Sequence, residues 1–228
     1  MKRFYTHAAI SDAPPHGILL DGKPVRTPAR LPLALDSRNL AEAIAGEWAA
    51  QGETILPRSM PLTGLANAAI DRVAPDPSAF AVRLAAFAGS ELLAYRADGP
   101  ASLVARQTDQ WDPWLAWAAQ RDDAHFSLVV GILHKPQAPE SLARITAAYG
   151  AFCPLQLAAL DPVVTITGSA VLGLAVAAGE MDADTAYALG HLDAIWQEEY
   201  WGRDPLAEAA EAERRADLAA AVRFLRLL

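Results

Sequence analysis

A change of period divides this chain near residue 35. Upstream, short apolar runs are broken by turn dipeptides; downstream, apolar residues return every three or four positions. The first pattern belongs to strands and the second to one face of a helix. In "GILLDGKPVRTP", apolar residues flank Asp21-Gly22, a dipeptide suited to a tight hairpin turn with positive φ. Pro24 and Pro28 restrict the second arm to an edge or irregular strand. "RLPLAL" reads as a further short strand, which predicts a small β unit over residues 3–35.

In "DSRNLAEAIAGEWAAQG", Leu40, Ile44 and Trp48 form one apolar stripe, with Asp36 or Ser37 as N-cap and Gly52 as terminator. The proline-bearing "ETILPRSMPLT" marks the domain junction. Beyond it, "DPSAFAVRLAAFAGSELLAY" starts on Asp76-Pro77, a cap followed by a residue suited to the first helical position. The same dipeptide at Asp112-Pro113 and Asp204-Pro205 opens a helix or marks a kink. "PESLARITAAYGAF" is predicted as a helix stopped by Pro154, and "ADTAYALGHLDAIWQEEYW" as one helix from Asp182 to Gly202. The helix from Pro205 carries Glu211 four residues before Arg215, a modestly stabilising pair. The chain is thus read as α+β. A small N-terminal β-rich domain with one helix spans residues 1–58, and a larger all-helical C-terminal domain of about six helices spans residues 59–228.

Composition removes several function classes. The net charge of −8 and pI near 5.1 argue against nucleic acid or anionic membrane as the main partner. Cys153 is the only cysteine, so no intrachain disulfide or cysteine-pair zinc site forms; beside Phe152 it reads as an inert small hydrophobe. The first residues lack the apolar core of a secretory signal. "VVTITGSAVLGLAVAAG", residues 163–179, is too short and too interrupted to span a membrane and reads as a buried strand-to-helix segment. A soluble, intracellular protein is expected, without membrane insertion.

Catalytic motifs are missing. "GSAVLG" has the glycine spacing of a phosphate loop, but Leu174 and Ala175 stand where Lys and Ser/Thr are required. There is no GxGxxG, GxSxG or HExxH, and Ser169 has no nucleophile-elbow context. His7, His16, His125, His134 and His191 form no helical metal pair. No catalytic residue, metal or cofactor is expected. Trp111, Trp114 and Trp117, three residues apart, are read as core, with an exposed partner anchor as the alternative.

"HLDAIWQEEYWGRDP" invites a carboxylate-pair reading at Glu198 and Glu199. At about 100° per residue, Glu199 falls within the arc of Leu192, Ile195, Trp196 and Tyr200, whereas Glu198 lies outside it. Adjacent helical acids diverge and do not converge on one substrate. Glu199 is read as a structural acid, paired with an arginine or escaping to solvent at the helix end. The alternative is an open helix face on which Glu199, Trp196 and Tyr200 await a partner.

Several segments, in order, resemble a known family: "LDGKPVRTP" (20–28), "EWAAQ" (47–51), "MPLTGLANAAIDRV" (60–73), "ELLAYRA" (91–97), "QWDPWLAW" (110–117) and "QEEYWG" (197–202). They are similar to the assembly chaperones of the F-type ATP synthase α subunit, known from mitochondria and alphaproteobacteria. The "PLT-x-LAN-x-AIDRV" block, which includes Asn67, Asp71 and Arg72, is the most specific. The resemblance implies a β-rich domain followed by a helical one. It also implies an ATP-independent chaperone that binds the free α subunit and shields the surface that later meets the β subunit.

By the same resemblance the location is cytoplasmic in bacteria, and the mitochondrial matrix for eukaryotic relatives; a monomer is expected. Trp48 matches a position whose alteration damages family function, and its stripe with Leu40 and Ile44 suggests damage to folding. The family's functional acid, in register with Trp201-Gly202, falls at Asp193, with Glu198 as the fallback. The expected partner surface is therefore Asp193, Glu198, Trp196 and Tyr200. Trp48, Asn67, Asp71, Arg72, Trp111, Glu199, Trp201 and Gly202 are structural or motif residues. Two other readings stand beside this one: a small-molecule enzyme using a buried Glu/Arg pair, an acid such as Glu199 with an arginine such as Arg72 or Arg96, and an interaction module of another complex.

Overall fold

The computed structural model describes residues 1–131, 133–202 and 205–228. The chain is α+β and forms two compact units. One comprises Met1–Pro77, Cys153–Ala159 and Arg223–Leu228; the other comprises Ser78–Phe152 and Leu160–Val222.

In the first unit, strands β1 (Ala8–Ile10), β2 (His16–Leu20), β3 (Lys23–Pro24) and β4 (Ala34–Leu35) form an antiparallel sheet centred on β2. Asp21 and Gly22 both have positive φ, 47° and 77°, the conformation that a two-residue turn needs to match strand twist. Along β2 burial alternates, with His16, Ile18 and Leu20 facing inward. Helix α1 (Arg38–Ala49) starts on Ser37, whose side chain accepts the Leu40 N–H; it ends at Ala50, before the expected Gly52. Helix α2 (Pro61–Ala68) continues into a wide turn at Ala69–Val73.

Ile18, Leu35, Leu40, Ile44, Leu62 and Ala66 share one core with Ala159 and Phe224. Each fully buried aliphatic or aromatic side chain there stabilises the unit by roughly 1.5–3 kcal/mol. The compact units therefore differ from the 1–58 and 59–228 division. The apolar face of α2 is needed to close the β-rich core, and two distant segments join it.

The second unit contains most of α3 (Pro77–Ala85), α4 (Ala101–Asp122), α5 (Pro139–Gly150), most of α6 (Pro154–Thr167), α7 (Ala170–Ala177), α8 (Ala183–Gly190), α9 (Leu192–Trp201) and most of α10 (Pro205–Arg226). It also holds one short parallel pair, β5 (Tyr95–Arg96) with β6 (Val129–Val130). Among the described residues no helix is long and apolar enough to cross a membrane.

Three local expectations change. The run 163–179 contains no strand: α6 ends at Gly168, φ +71°, and Ser169 caps α7 by accepting the Leu172 N–H. A continuous apolar run suits a helix buried on all sides as well as a strand, and Ala170–Val176 are all buried. The stretch 183–201 is two helices, broken at His191, where a Cβ on Gly190 would sit 2.8 Å from Thr167 Cα. Pro154 opens α6, while α5 has already ended at Gly150, and Cys153 is exposed. Asp112-Pro113 lies inside α4, whereas Asp204 lies outside the described residues.

Candidate functional site

Helix α9 displays aromatic surface at its C-terminal end. Asp193 in the first turn suits the positive end of the helix dipole, and Gly202, φ +83°, ends the helix. Trp196 is buried, 8% exposed, and supports two exposed rings. Tyr200 lies 4.4 Å from it, centroid to centroid, and Trp201 meets it edge-on at 6.1 Å. Tyr200 is 62% and Trp201 76% exposed. Exposed aromatics on a rigid base suit a protein contact, because they supply large area at little entropic cost.

Polar ties to α4 hold this helix. Gln107 is fully buried; its Nε2 donates to Asp193 Oδ1 at 2.8 Å, and its Oε1 accepts the Ala97 N–H at 2.9 Å. Arg106 Nη1 donates to both Glu199 oxygens, at 2.9 and 2.8 Å. Trp111 Nε1 donates to the Leu189 carbonyl at 3.0 Å, which fixes the end of α8. Glu198 is half-buried.

The expected surface is thus only partly assembled. Trp196 lies beneath it, and one oxygen of half-buried Asp193 is committed to Gln107. Glu199 is not buried: its side chain is 51% exposed and its arginine is Arg106. Arg96 instead bonds Asp112 at 2.6 Å and lies 5.5 Å from the Trp111 ring centroid, and Arg72 is exposed. A buried Glu199 paired with Arg72 or Arg96 is not formed. Trp111 is core, while Trp114 and Trp117 are half-buried and meet edge-on at 6.2 Å.

Several motif residues of the first unit tie its elements together. Glu47 caps α2 from α1, accepting the Leu62 and Thr63 N–H groups at 2.8 Å each. Gln51, buried, accepts the Leu56 N–H and donates to Ser59 Oγ. Asp71 accepts the Thr27 hydroxyl and the Ala29 N–H, which secures the turn before β4. Trp48 is half-buried against the core, and its carbonyl accepts the Tyr5 hydroxyl at 2.7 Å. Asn67 is half-buried on α2.

Glu91, Arg106 and Gln107 escape sequence reasoning. Glu91 is fully buried and accepts the Val171 N–H at 3.2 Å, near the start of α7. Burial lifts its carboxyl to about 7, although hydrogen bonds from Ser169, Val171, Leu93 and Ala170 pull it down. Burial and the Glu91 charge raise the Tyr149 hydroxyl well above its ordinary range, and Tyr149 donates to the Ala170 carbonyl at 2.8 Å. The only signal available was "ELLAY" itself, an acid leading an apolar run. His191 stacks on Tyr187 at 3.9 Å, and burial lowers its pKa. Among the described residues no three His, Cys, Asp or Glu side chains are grouped to hold a metal ion.

A family model described as ATP12 chaperone protein matches residues 2–119. The crystal structure of Atp12 from Paracoccus denitrificans is 43% identical over 99% of this chain and 97% of that chain, with a TM-score of 0.94. An aspartate-to-lysine variant of P. denitrificans Atp12p matches equally. A candidate chaperone from Agrobacterium tumefaciens is 44% identical over 99% of this chain and 85% of that chain, also with a TM-score of 0.94.

Proposed function

The chain belongs to the ATP12 chaperone protein family, and from that premise we propose that it holds the free α subunit of an F-type ATP synthase during assembly. The observation that carries the site is the exposed pair Tyr200 and Trp201, braced on buried Trp196. Docked there, the client buries an apolar surface that would otherwise self-associate, and the chaperone shields the face that later meets the β subunit. Glu198, two residues before Tyr200, adjoins the aromatic end, and Asp193 lies in the first turn of the same helix; the two acids supply the polar rim.

Holding needs no ATP and no catalytic step. A binder that favours the native client stabilises it by mass action, by about 2.7 kcal/mol when present at 100 times its dissociation constant. The chaperone acts as a monomer in the bacterial cytoplasm on this reading. The test is light scattering from isolated α subunit during a stoichiometric titration. Scattering should fall and plateau near one equivalent; unchanged scattering across the titration overturns the proposal.

A further inference from the structure

The first unit carries a second apolar surface, a groove of about 420 Å³ between the N-terminal segment and the β2–β3 hairpin. Its floor is Tyr5, Leu20 and Trp48, which belong to or pack against a cluster with Ile55 and Met60. Its lip carries Met1 and Phe4, 73% and 66% exposed. Phe4, Tyr5 and Trp48 form an edge-on aromatic series, with centroid spacings of 5.4 and 5.8 Å. Large apolar side chains left open along a groove mark a contact surface, unlike singly scattered ones.

Both walls are fixed. The Ile55 N–H donates to the Met1 carbonyl and the Arg3 N–H to the Glu53 carbonyl, each at 2.8 Å. Across the groove, Asp21 accepts N–H groups from Thr6 and His7, and its own N–H donates to the His7 carbonyl at 2.9 Å. A groove held open in this way binds without the cost of ordering its walls.

Charge selects the occupant. Asp21 is the acid of the lining, and its oxygens are engaged by backbone N–H groups. The cations of the lining are Lys23 and Arg26, both exposed, with Arg26 also donating to the Arg30 carbonyl. The surrounding unit has ten basic and eight acidic residues, whereas the other has nine and nineteen, so the acidity of the chain lies outside this groove.

We propose that this groove receives an extended apolar protein segment bearing an acidic side chain, its apolar residues on Phe4, Tyr5 and Trp48 and its carboxylate at Lys23 and Arg26. It is a contact separate from the α9 aromatic end and stands whether or not the client is the α subunit.

The test is fluorescence anisotropy with two labelled peptides that share the core Leu-Val-Phe-Leu, one preceded by Glu-Glu and the other by Lys-Lys. The acidic peptide should bind at least tenfold more tightly. Phe4→Ser should weaken both, and the double variant Lys23→Glu/Arg26→Glu should abolish the preference. These are exposed positions, and circular dichroism checks that the variants fold. Absence of saturable binding to millimolar peptide, or equal affinity for both peptides, overturns the groove assignment. α-subunit scattering still suppressed by a Phe4→Ser protein would leave the α9 reading untouched, so the two proposals fail separately.

Discussion

Thr63 gives both its backbone N–H and its hydroxyl to one oxygen of Glu47, at 2.8 and 2.7 Å. The other oxygen takes the Leu62 N–H, so a side chain on α1 satisfies the first turn of α2. Met60, the residue at the cap position, makes no side-chain cap of its own. A remote carboxylate thus does the work of an N-cap and joins two helices of one core.

Removing that carboxylate by Glu47→Ala should destabilise the first unit by about 1–3 kcal/mol, through orphaned N–H groups and a lost charge–dipole contact. Glu47→Gln should recover part of the loss. Urea unfolding followed by circular dichroism measures both, and equal midpoints for Ala and wild type would refute the role.

Glu91 makes stability depend on pH. Its carboxyl is raised from 4.5 to about 7 in the folded chain, so the unfolded chain releases the proton first. Stability contributed by this group is complete below about 4.5, falls as pH rises toward about 7, and is level above. The loss is on the order of 3 kcal/mol across that window. Glu91→Gln removes the ionisation, so the difference in unfolding midpoints between variant and wild type should grow from pH 5 to pH 8. A constant difference would contradict the assignment.

At Asp193 two roles can be separated. Asp193→Ala leaves the buried Gln107 amide without its acceptor and should cost about 1–3 kcal/mol. Asp193→Asn keeps an acceptor oxygen and should retain most of the stability. If the acid also contacts the client, Asn should still weaken suppression of α-subunit scattering; normal suppression by a stable Asn variant would assign Asp193 to scaffold alone.

The aromatic end should divide in the same way. Trp201→Ser touches an exposed ring and should change stability by no more than about 0.5 kcal/mol, while reducing suppression of aggregation several-fold. Trp196→Ala removes the buried support and should cost roughly 3–5 kcal/mol. A Trp201→Ser protein with unchanged holding activity would remove α9 from the docking surface.

What the sequence disclosed and what it hid separate by range. Asp21-Gly22 and Ser37 act within a few residues of themselves, so their hairpin and cap were legible. Glu211–Arg215, one helical turn apart, forms as spacing implied, at 2.9 Å. Helical spacing placed Glu199 and Tyr200 on the apolar arc of α9 but could not name the arginine that Glu199 meets or say how far the last turn stands out. The last turn of α9 exposes Tyr200 and Trp201, and Glu199 meets Arg106, 93 positions away. Gln107–Asp193 and Glu91–Val171 bridge 86 and 80 positions. No local pattern encodes such pairings. The close approach of Gly190 to the Thr167 backbone, next to the break at His191, was equally invisible, because Thr167 belongs to another helix.

Phe224 is fully buried with Ile18 and Leu40, and Ser37 donates its hydroxyl to the Leu227 carbonyl. During synthesis, then, the β-rich unit cannot close when its own first 77 residues have emerged. At typical translation speeds the stretch up to Arg223 takes roughly 7–30 s to make. Through that interval the part of the sheet and α1 core that Phe224 covers stays open, so a member of this chaperone family itself has a vulnerable period at birth.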